Sequence, residues 1–253
     1  MRVRVLGAHG GSSPSHRQTS FLVNGSLCVD AGALTHALPL DEQALVRAVL
    51  VTHAHMDHVA SLPFLVENVF GRHAVPLEIV APGEILAALR KHLFNDALWP
   101  DFSRLPNDLM PSVTFRAIPT REPFEVAGVV GTAIPVSHVV PTYGYILSEG
   151  ATSIVFSGDT GPTEELWRAV RARNDVKALF VECTFPDDLQ HLADASKHLT
   201  PATLRLEIEK FPPEVPIYLY HMKPPSLGRL RAEVAALGDA RVSLLSDGDE
   251  LTF

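Results

Sequence analysis

The segment Thr52-His53-Ala54-His55-Met56-Asp57-His58 puts three imidazoles and a carboxylate into one short stretch. Imidazole nitrogens suit zinc and other first-row metals, and a carboxylate adds a harder anionic ligand. Four ligating side chains in one loop exceed what a single ion with an open position needs, so the spacing suggests two adjacent ions. His53 and His55, two residues apart, point to the same side of an extended segment. Asp57 and His58 follow one turn later, where a helix over about 59–69 begins. The apolar run Ala48-Val49-Leu50-Val51 just upstream reads as a short buried strand. The cluster therefore sits where a strand stops and the chain turns. A solvated polar loop would account for a single His-x-His equally well, but poorly for the full His-x-His-x-Asp-His after a buried strand.

Three further segments place a ligand type at the end of an apolar run. Ile134-Pro135-Val136-Ser137-His138 sets a histidine after a β-like stretch. Ser153-Ile154-Val155-Phe156-Ser157-Gly158-Asp159-Thr160-Gly161 runs into a glycine-flanked aspartate, and Ile217-Tyr218-Leu219-Tyr220 ends at His221. One strand-end His or Asp is ordinarily a turn residue. Three of them, in the order His, Asp, His behind the loop, are hard to assign to chance. His9, beside Gly10 and Gly11, marks a turn that lets backbone come close to the site, and it is not expected to be a ligand. No metal role is assigned to His16, His36, His73, His92 or His191, which lack the strand-end setting.

The elements that must position these residues alternate along the chain. Strands are expected at 2–6, 20–23, 26–30, 48–51 and 77–80, with helices at 59–69 and from Pro82 to about 94, since Pro suits a first helical turn. An irregular aromatic segment, 94–111, leads to short strands at 113–117, 124–126, 129–134, 145–147 and 154–156. Helices at 163–172, 201–210 and 227–237 then alternate with strands at 178–181, 217–220 and 242–245. Early strands in runs and later ones alternating with helices suit two packed sheets with helices outside, an α/β or α+β fold.

The chain has 253 residues, 46% of them apolar, enough for a substantial core. No linker, low-complexity run or charge block divides it, so residues 1–253 are expected to form a single domain. No apolar run approaches the ~20 residues that span a bilayer. The N-terminal Met1-Arg2-Val3-Arg4-Val5-Leu6-Gly7 alternates like a strand and lacks the apolar core of a signal peptide. The two cysteines, Cys28 and Cys183, lie in apolar strand-like contexts and read as buried core thiols. A reducing cytoplasm is the expected compartment. The net charge of −8 argues against broad, unaided binding to nucleic acid. It leaves a small anionic substrate open, because two divalent cations reverse the local field.

The His-x-His-x-Asp-His loop, with His138, Asp159 and His221 at later strand ends, resembles the signature of the metallo-β-lactamase superfamily, and the resemblance covers nearly the whole chain. It implies a four-layer αββα sandwich. It implies that His53, His55 and His138 hold one metal, that Asp57, His58 and His221 hold the second, and that Asp159 bridges them. Three more segments are similar to the class II cyclic-nucleotide phosphodiesterases: His92-Leu93-Phe94-Asn95-Asp96-Ala97-Leu98-Trp99-Pro100, Ser157–Pro162 with Glu182-Cys183-Thr184-Phe185, and His198-Leu199-Thr200-Pro201 with Tyr220-His221-Met222-Lys223-Pro224-Pro225. The tRNA 3′-processing endonucleases share the metal scaffold, but usually carry glycine where Met56 stands and a long basic arm that this sequence does not show. The metal motif itself is common to many hydrolases and says little about substrate.

A phosphodiester resists attack because it is anionic. Two cations about 3.5–4 Å apart would neutralise it and acidify a bridging hydroxide as nucleophile. Asp57 is a candidate ligand also placed to orient that hydroxide. His198 is the candidate acid for the departing oxygen, with Glu182 keeping its imidazole oriented and charged. The related nucleases carry a Glu–His pair in the same order. The competing readings are a helix-capping surface histidine for His198 and a strand-end carboxylate paired to Lys or Arg for Glu182. Phe94, Trp99 and Phe102 are candidate substrate-binding residues that would wall a nucleobase. A satellite core under the loop, or a protomer contact in a homodimer, are the alternatives.

The expected function is a dinuclear metal-dependent phosphodiesterase hydrolysing a 3′,5′-cyclic nucleotide, cyclic AMP or cyclic GMP. A tRNA 3′-processing-type endonuclease or another phosphodiesterase is the alternative within enzymes. A non-catalytic nucleotide-binding protein that retains the fold is the alternative of another class, and the full ligand set counts against it. Zinc fits the His-rich positions, and the carboxylates would also accommodate manganese or iron.

Overall fold

The computed structural model describes residues 1–72, 75–107 and 110–253. In chain order the first strands are β1 (Arg2–Gly7), β2 (Ser20–Val23), β3 (Leu27–Val29), β4 (Ala48–Leu50), β5 (Leu77–Ala81), β6 (Pro106–Asn107), β7 (Met110–Pro111) and β8 (Val113–Ala117). There follow β9 (Pro123–Val126), β10 (Val129–Pro135), β11 (Tyr143–Glu149), β12 (Thr152–Phe156), β13 (Val176–Glu182), β14 (Ile217–Tyr220), β15 (Val242–Leu244) and β16 (Glu250–Thr252). One sheet runs β16-β1-β2-β3-β4-β5-β8 and the other β15-β14-β13-β12-β11-β10-β9, while β6 and β7 pair as a separate hairpin. The helices are α1 (Leu34–Ala37), α2 (Leu40–Gln43), α3 (Met56–Val59), α4 (Leu62–Val69), α5 (Gly83–His92), α6 (Glu165–Arg171), α7 (Gln190–Ser196), α8 (Pro201–Ile208) and α9 (Leu227–Ala235).

Side-chain alternation on the strands builds the layers. Along β13, Ala178 and Phe180 join the core between the sheets, while Leu179 and Val181 join the core beneath α6, α8 and α9. Phe21 of β2 crosses from the first sheet to Phe156, Phe180 and Tyr220 of the second, with ring centroids 5.0, 5.6 and 5.2 Å away. These rings are buried, and truncating Phe21 to alanine would cost about 3–5 kcal/mol. On the far side of the first sheet, α1 touches β1 and α5 touches β5 and β8. The result is the four-layer sandwich of helices, two sheets and helices that the resemblance implied.

Parallel pairing sets the working edge. β3, β4, β5 and β8 are parallel neighbours, as are β12, β13, β14 and β15. Buried on both faces, such strands read as continuous apolar runs, of which Ala178-Leu179-Phe180-Val181 is one. Their C-terminal ends emerge together, where ligands of open α/β sheets bind. His53 follows β4, Asp159 follows β12, and His221 follows β14.

The expected helix 59–69 is two helices, α3 and α4. Ser61 interrupts it, its backbone N–H and its hydroxyl both donating to the Ala31 carbonyl at 2.9 and 2.7 Å. Pro63 has no N–H to extend the earlier helix and suits the first turn of the next. The short α1, α2 and α7 and the edge strand β16 were not expected. Helices of only one or two turns show too little of a 3.6-residue period to be read, and β16 depends on pairing with β1 at the other end of the chain. Within the irregular segment 94–111, residues 108 and 109 lie outside the described residues, as does His73. Among the described residues no helix is long and apolar enough to cross a membrane.

Candidate metal centre

Seven side chains from four strand ends converge. Ligand atoms of His53, His55, His138 and Asp159 lie within 4.8 Å of one another, and so do those of Asp57, His58 and His221. Asp159 joins the two groups: its Oδ1 is 3.3 Å from His58 Nε2, and its Oδ2 is 3.5 Å from His53 Nε2 and 3.2 Å from His221 Nε2. His138 Nε2 faces His55 Nδ1 at 3.3 Å. Asp57 Oδ2 is 3.6 Å from His221 Nε2. His53, His58, His221 and Asp159 are fully enclosed, while His55 and Asp57 lie on the partly open side.

The other nitrogen of four of the five imidazoles is fixed from behind. Thr52 donates through Oγ1 to Asp30 Oδ2 at 2.8 Å, so it accepts from His53 Nδ1 at 3.0 Å. Asp30 Oδ2 also takes the His58 Nδ1 proton at 2.7 Å. His138 Nδ1 donates to the Lys197 carbonyl at 3.1 Å. His221 Nδ1 donates to Thr19 Oγ1 at 2.9 Å. Each bond selects the tautomer that leaves Nε2 with its lone pair toward the cluster. His53 Nε2, His58 Nε2, Asp159 Oδ1 and His221 Nε2 are buried without a hydrogen-bond partner, and among the described residues Trp99 Nε1 is the one other such atom. Buried polar atoms are normally paired, so four orphans facing one another form a donor set that fits a pair of first-row cations.

The electrostatics agree with that fit. Burial, with the neighbouring His58, holds His53 well below the usual imidazole range. Burial pushes His138 down to about 4 and His221 to about 3, against the pull of Asp159. These rings are neutral at physiological pH and ready to donate. Burial also pushes on His58 downward, but Asp159 and Asp30 outweigh it and raise it well above the usual value, so its proton must leave when a cation enters. Burial would protonate Asp159, yet His221, His58 and His53 keep it ionised.

Backbone geometry tightens the frame. His221 has φ +68°, an unusual conformation for a histidine, and its N–H is pinned to the Ala8 carbonyl at 2.7 Å. Gly10 packs against this residue: a Cβ there would stand 2.6 Å from His221 Nε2 and 2.7 Å from its carbonyl oxygen. The glycine turn thus lies at the cluster, as the sequence led one to expect. His9 is held elsewhere, by Asp247 Oδ1 at 3.2 Å.

His198 stands at the edge of the cluster, within 4.8 Å of the ligand atoms of Asp159 and His221. Its ring stacks on His221 at 5.4 Å. Its Nδ1 donates to Glu182 Oε1 at 2.8 Å, and Thr184 Oγ1 donates to Glu182 Oε2 at 2.7 Å. Both residues are buried, which sets aside the surface-histidine reading, and Glu182 is paired with His198 rather than with Lys or Arg. Burial opposes the cationic form of His198, but Glu182 outweighs it and raises the imidazole above its usual value.

The three aromatics are placed differently. Phe94 packs edge-on against Phe115 at 5.6 Å, Phe102 against Phe70 at 5.6 Å and Trp99 against Phe64 at 5.1 Å. Phe94 and Phe102 are buried in the core, so they present little face to a ligand, and only Trp99 is half-exposed. Phe94 and Phe102 belong to the large core between and beside the sheets, not to a separate cluster under the loop. Four residues around the site were given no role from sequence: Asp30, Thr52, Thr19 and Lys223. Asp30 carried a usable signal, because it ends a strand before Ala31-Gly32 in the setting that marked Asp159.

Residues 19–222 match the family model described as the beta-lactamase superfamily domain. A probable 3′,5′-cyclic-nucleotide phosphodiesterase of Yersinia pestis is 24% identical over 276 residues, covering 88% of this chain and 78% of that protein. A ribonuclease Z of Mycobacterium bovis is 29% identical over 129 residues, covering 47% of this chain and 46% of that protein. The crystal structure of unliganded yeast PDE1 superposes with a TM-score of 0.82 and 18% identity, covering 100% of this chain and 99% of that one.

Proposed function

The chain belongs to the beta-lactamase superfamily and is a metal-dependent hydrolase, and on that premise we propose that its substrate is a phosphodiester, specifically a 3′,5′-cyclic nucleotide. The observation that carries the reading is the buried cluster of orphaned donor atoms with the Glu182–His198 pair beside it. Two divalent cations bound there would neutralise the phosphodiester and acidify an attacking water. His53, His55 and His138 would hold one, Asp57, His58 and His221 the other, and Asp159 both. Zinc suits this imidazole-rich set.

The chain's own groups supply the rest. Asp57, a proposed ligand on the partly open side, is also placed to orient the attacking water. His198 is the proposed proton donor to the departing sugar oxygen. Glu182 takes Nδ1, so Nε2 is the atom turned to the cluster, and the carboxylate stabilises the cation before it gives up its proton. With seven other side chains available for two ions, His198 is not needed as a ligand. Residues 1–253 work as one domain in this reading, because each proposed metal position draws on both sheets. The two cysteines are free and buried, which suits a reducing compartment such as the cytoplasm.

The choice of a cyclic nucleotide over a tRNA precursor follows the relative that matches most of its own length and of this chain. The net charge of −8 supports it, since long RNA is gripped through cationic surface. Metal-reconstituted protein should convert cyclic AMP or cyclic GMP to the linear monophosphate. Efficient cleavage of a 3′-extended tRNA precursor with cyclic nucleotides untouched would overturn the choice.

A further inference from the structure

Lys223 is not one of the seven converging side chains, yet it reaches them. Its Nζ is 3.5 Å from Asp57 Oδ2 and donates to the Gly10 carbonyl. The residue is tethered through both its backbone and its side chain. Its N–H meets the Thr184 carbonyl at 3.3 Å, and His221, two residues earlier, is pinned to Ala8. Its backbone, at φ −71° and ψ 121°, has the extended form that a following proline imposes. The ammonium is thereby held at the cluster instead of sweeping the surface.

The position matters because of what else is open there. The side chains of Lys223 and Asp57 are 32% and 22% exposed, whereas those of His221 and Asp159 are each 1% exposed. Lys223 stands beside Asp57, where the cluster is partly uncovered. An ammonium has three donors. The Gly10 carbonyl takes one and the Asp57 carboxylate faces the ammonium as an ion pair at 3.5 Å, so among the described residues at least one N–H is left for an incoming acceptor. The other lysine at the cluster, Lys197, donates to the His138 carbonyl at 3.1 Å.

Building on the phosphodiester reading above, we infer that Lys223 is a substrate-anchoring residue whose remaining N–H takes an oxygen of the phosphoryl group. It would supply ground-state binding of the anion on the Asp57 side, while His198 acts on the leaving oxygen. The competing role is a purely structural one, in which Lys223 only neutralises Asp57.

The test uses metal-loaded protein and inorganic phosphate as the probe, titrated by calorimetry, with Lys223→Met and Lys223→Arg. Lys223→Met should weaken phosphate binding about tenfold, the scale of one charge-assisted hydrogen bond. Metal content should be unchanged, and Lys223→Arg should recover most of the affinity. On bis-p-nitrophenyl phosphate, KM should rise by a similar factor with kcat changed less than about threefold, the pattern of uniform binding. Unaltered phosphate affinity in Lys223→Met, a fall in bound metal, or an unsubstituted metal-loaded protein that binds no phosphate would each overturn the inference. Phosphate binding that depends on Lys223 in a protein that hydrolyses no diester would support the anion contact and sink the phosphodiesterase reading instead.

Discussion

The Asp30 carboxylate lies 2.7 Å from His58 Nδ1 and, through Thr52 Oγ1, also governs His53. One buried acid thus orients a proposed ligand of each metal position. Asp30→Asn should leave the loop in place but lower metal affinity about 10–100-fold, the usual effect of losing a partner that orients a ligand. A competition titration with a chromophoric chelator measures it. Affinities equal to those of the unsubstituted protein would show that Asp30 has no such role.

His198→Ala should slow hydrolysis of a diester with a poor leaving group by roughly 10²–10⁴-fold. The loss on bis-p-nitrophenyl phosphate should be far smaller, because that leaving group needs no proton. Metal content should stay the same. Equal losses on both substrates would assign His198 another task.

Glu182→Gln tests the same pair through pH. Burial lowers the His198 value, and Glu182 raises it above the usual one. The active form of an acid is the protonated one, so activity falls as pH rises through that value. Removing the Glu182 charge should move the basic limb of the rate profile to lower pH. A limb that does not move would mean that another group sets it.

Gly10→Ala should act on one position only. Its Cβ would collide with His221, whose own backbone is pinned by Ala8 and cannot retreat easily. Bound metal should fall toward one equivalent, with thermal stability reduced by less than the core substitution Phe21→Ala. Retention of both metals at full affinity would show that the turn yields.

Asp247 anchors the glycine turn by accepting from the backbone N–H groups of Ala8 and Arg17 at 2.9 and 2.8 Å and from His9. Burial pushes its carboxyl upward, but these donors outweigh it and hold it below its ordinary 3.8. A depressed folded value means stability that is present above pH 3.8 and lost as pH falls through the folded value. Asp247→Ala should cost about 1–3 kcal/mol at neutral pH by leaving two amides unpaired. The gap between variant and unsubstituted protein in urea unfolding should narrow below pH 3.8. A gap independent of pH would contradict the assignment.

Much of this was legible because the site is built from strand ends, and strand ends announce themselves. Ile217–Tyr220 running into His221 and Ser153–Phe156 running into Asp159 combine an apolar run with a ligand type, and the fold brings those ends together. Glu182 and His198 were readable for a different reason, through their resemblance to a known pair. Thr19 was not readable, and Lys223 stood in a similar segment without a role, because a lysine or threonine carries no periodic or spacing signal and gains its role only from contacts across the fold. The aromatics at Phe94 and Phe102 show the reverse problem. Composition alone cannot tell a ring that faces a ligand from one that fills the core, and these two fill the core.

The seven converging side chains are proposed to form a two-metal centre. Elemental analysis of the protein, purified without chelators and reconstituted, tests it most directly when set beside the Asp159→Ala variant. Two equivalents per chain are expected in the unsubstituted protein, with hydrolysis of a phosphodiester. Asp159→Ala should keep the fold, lose at least one equivalent and lose activity. Metal well below one equivalent in well-folded, reconstituted protein would contradict the account.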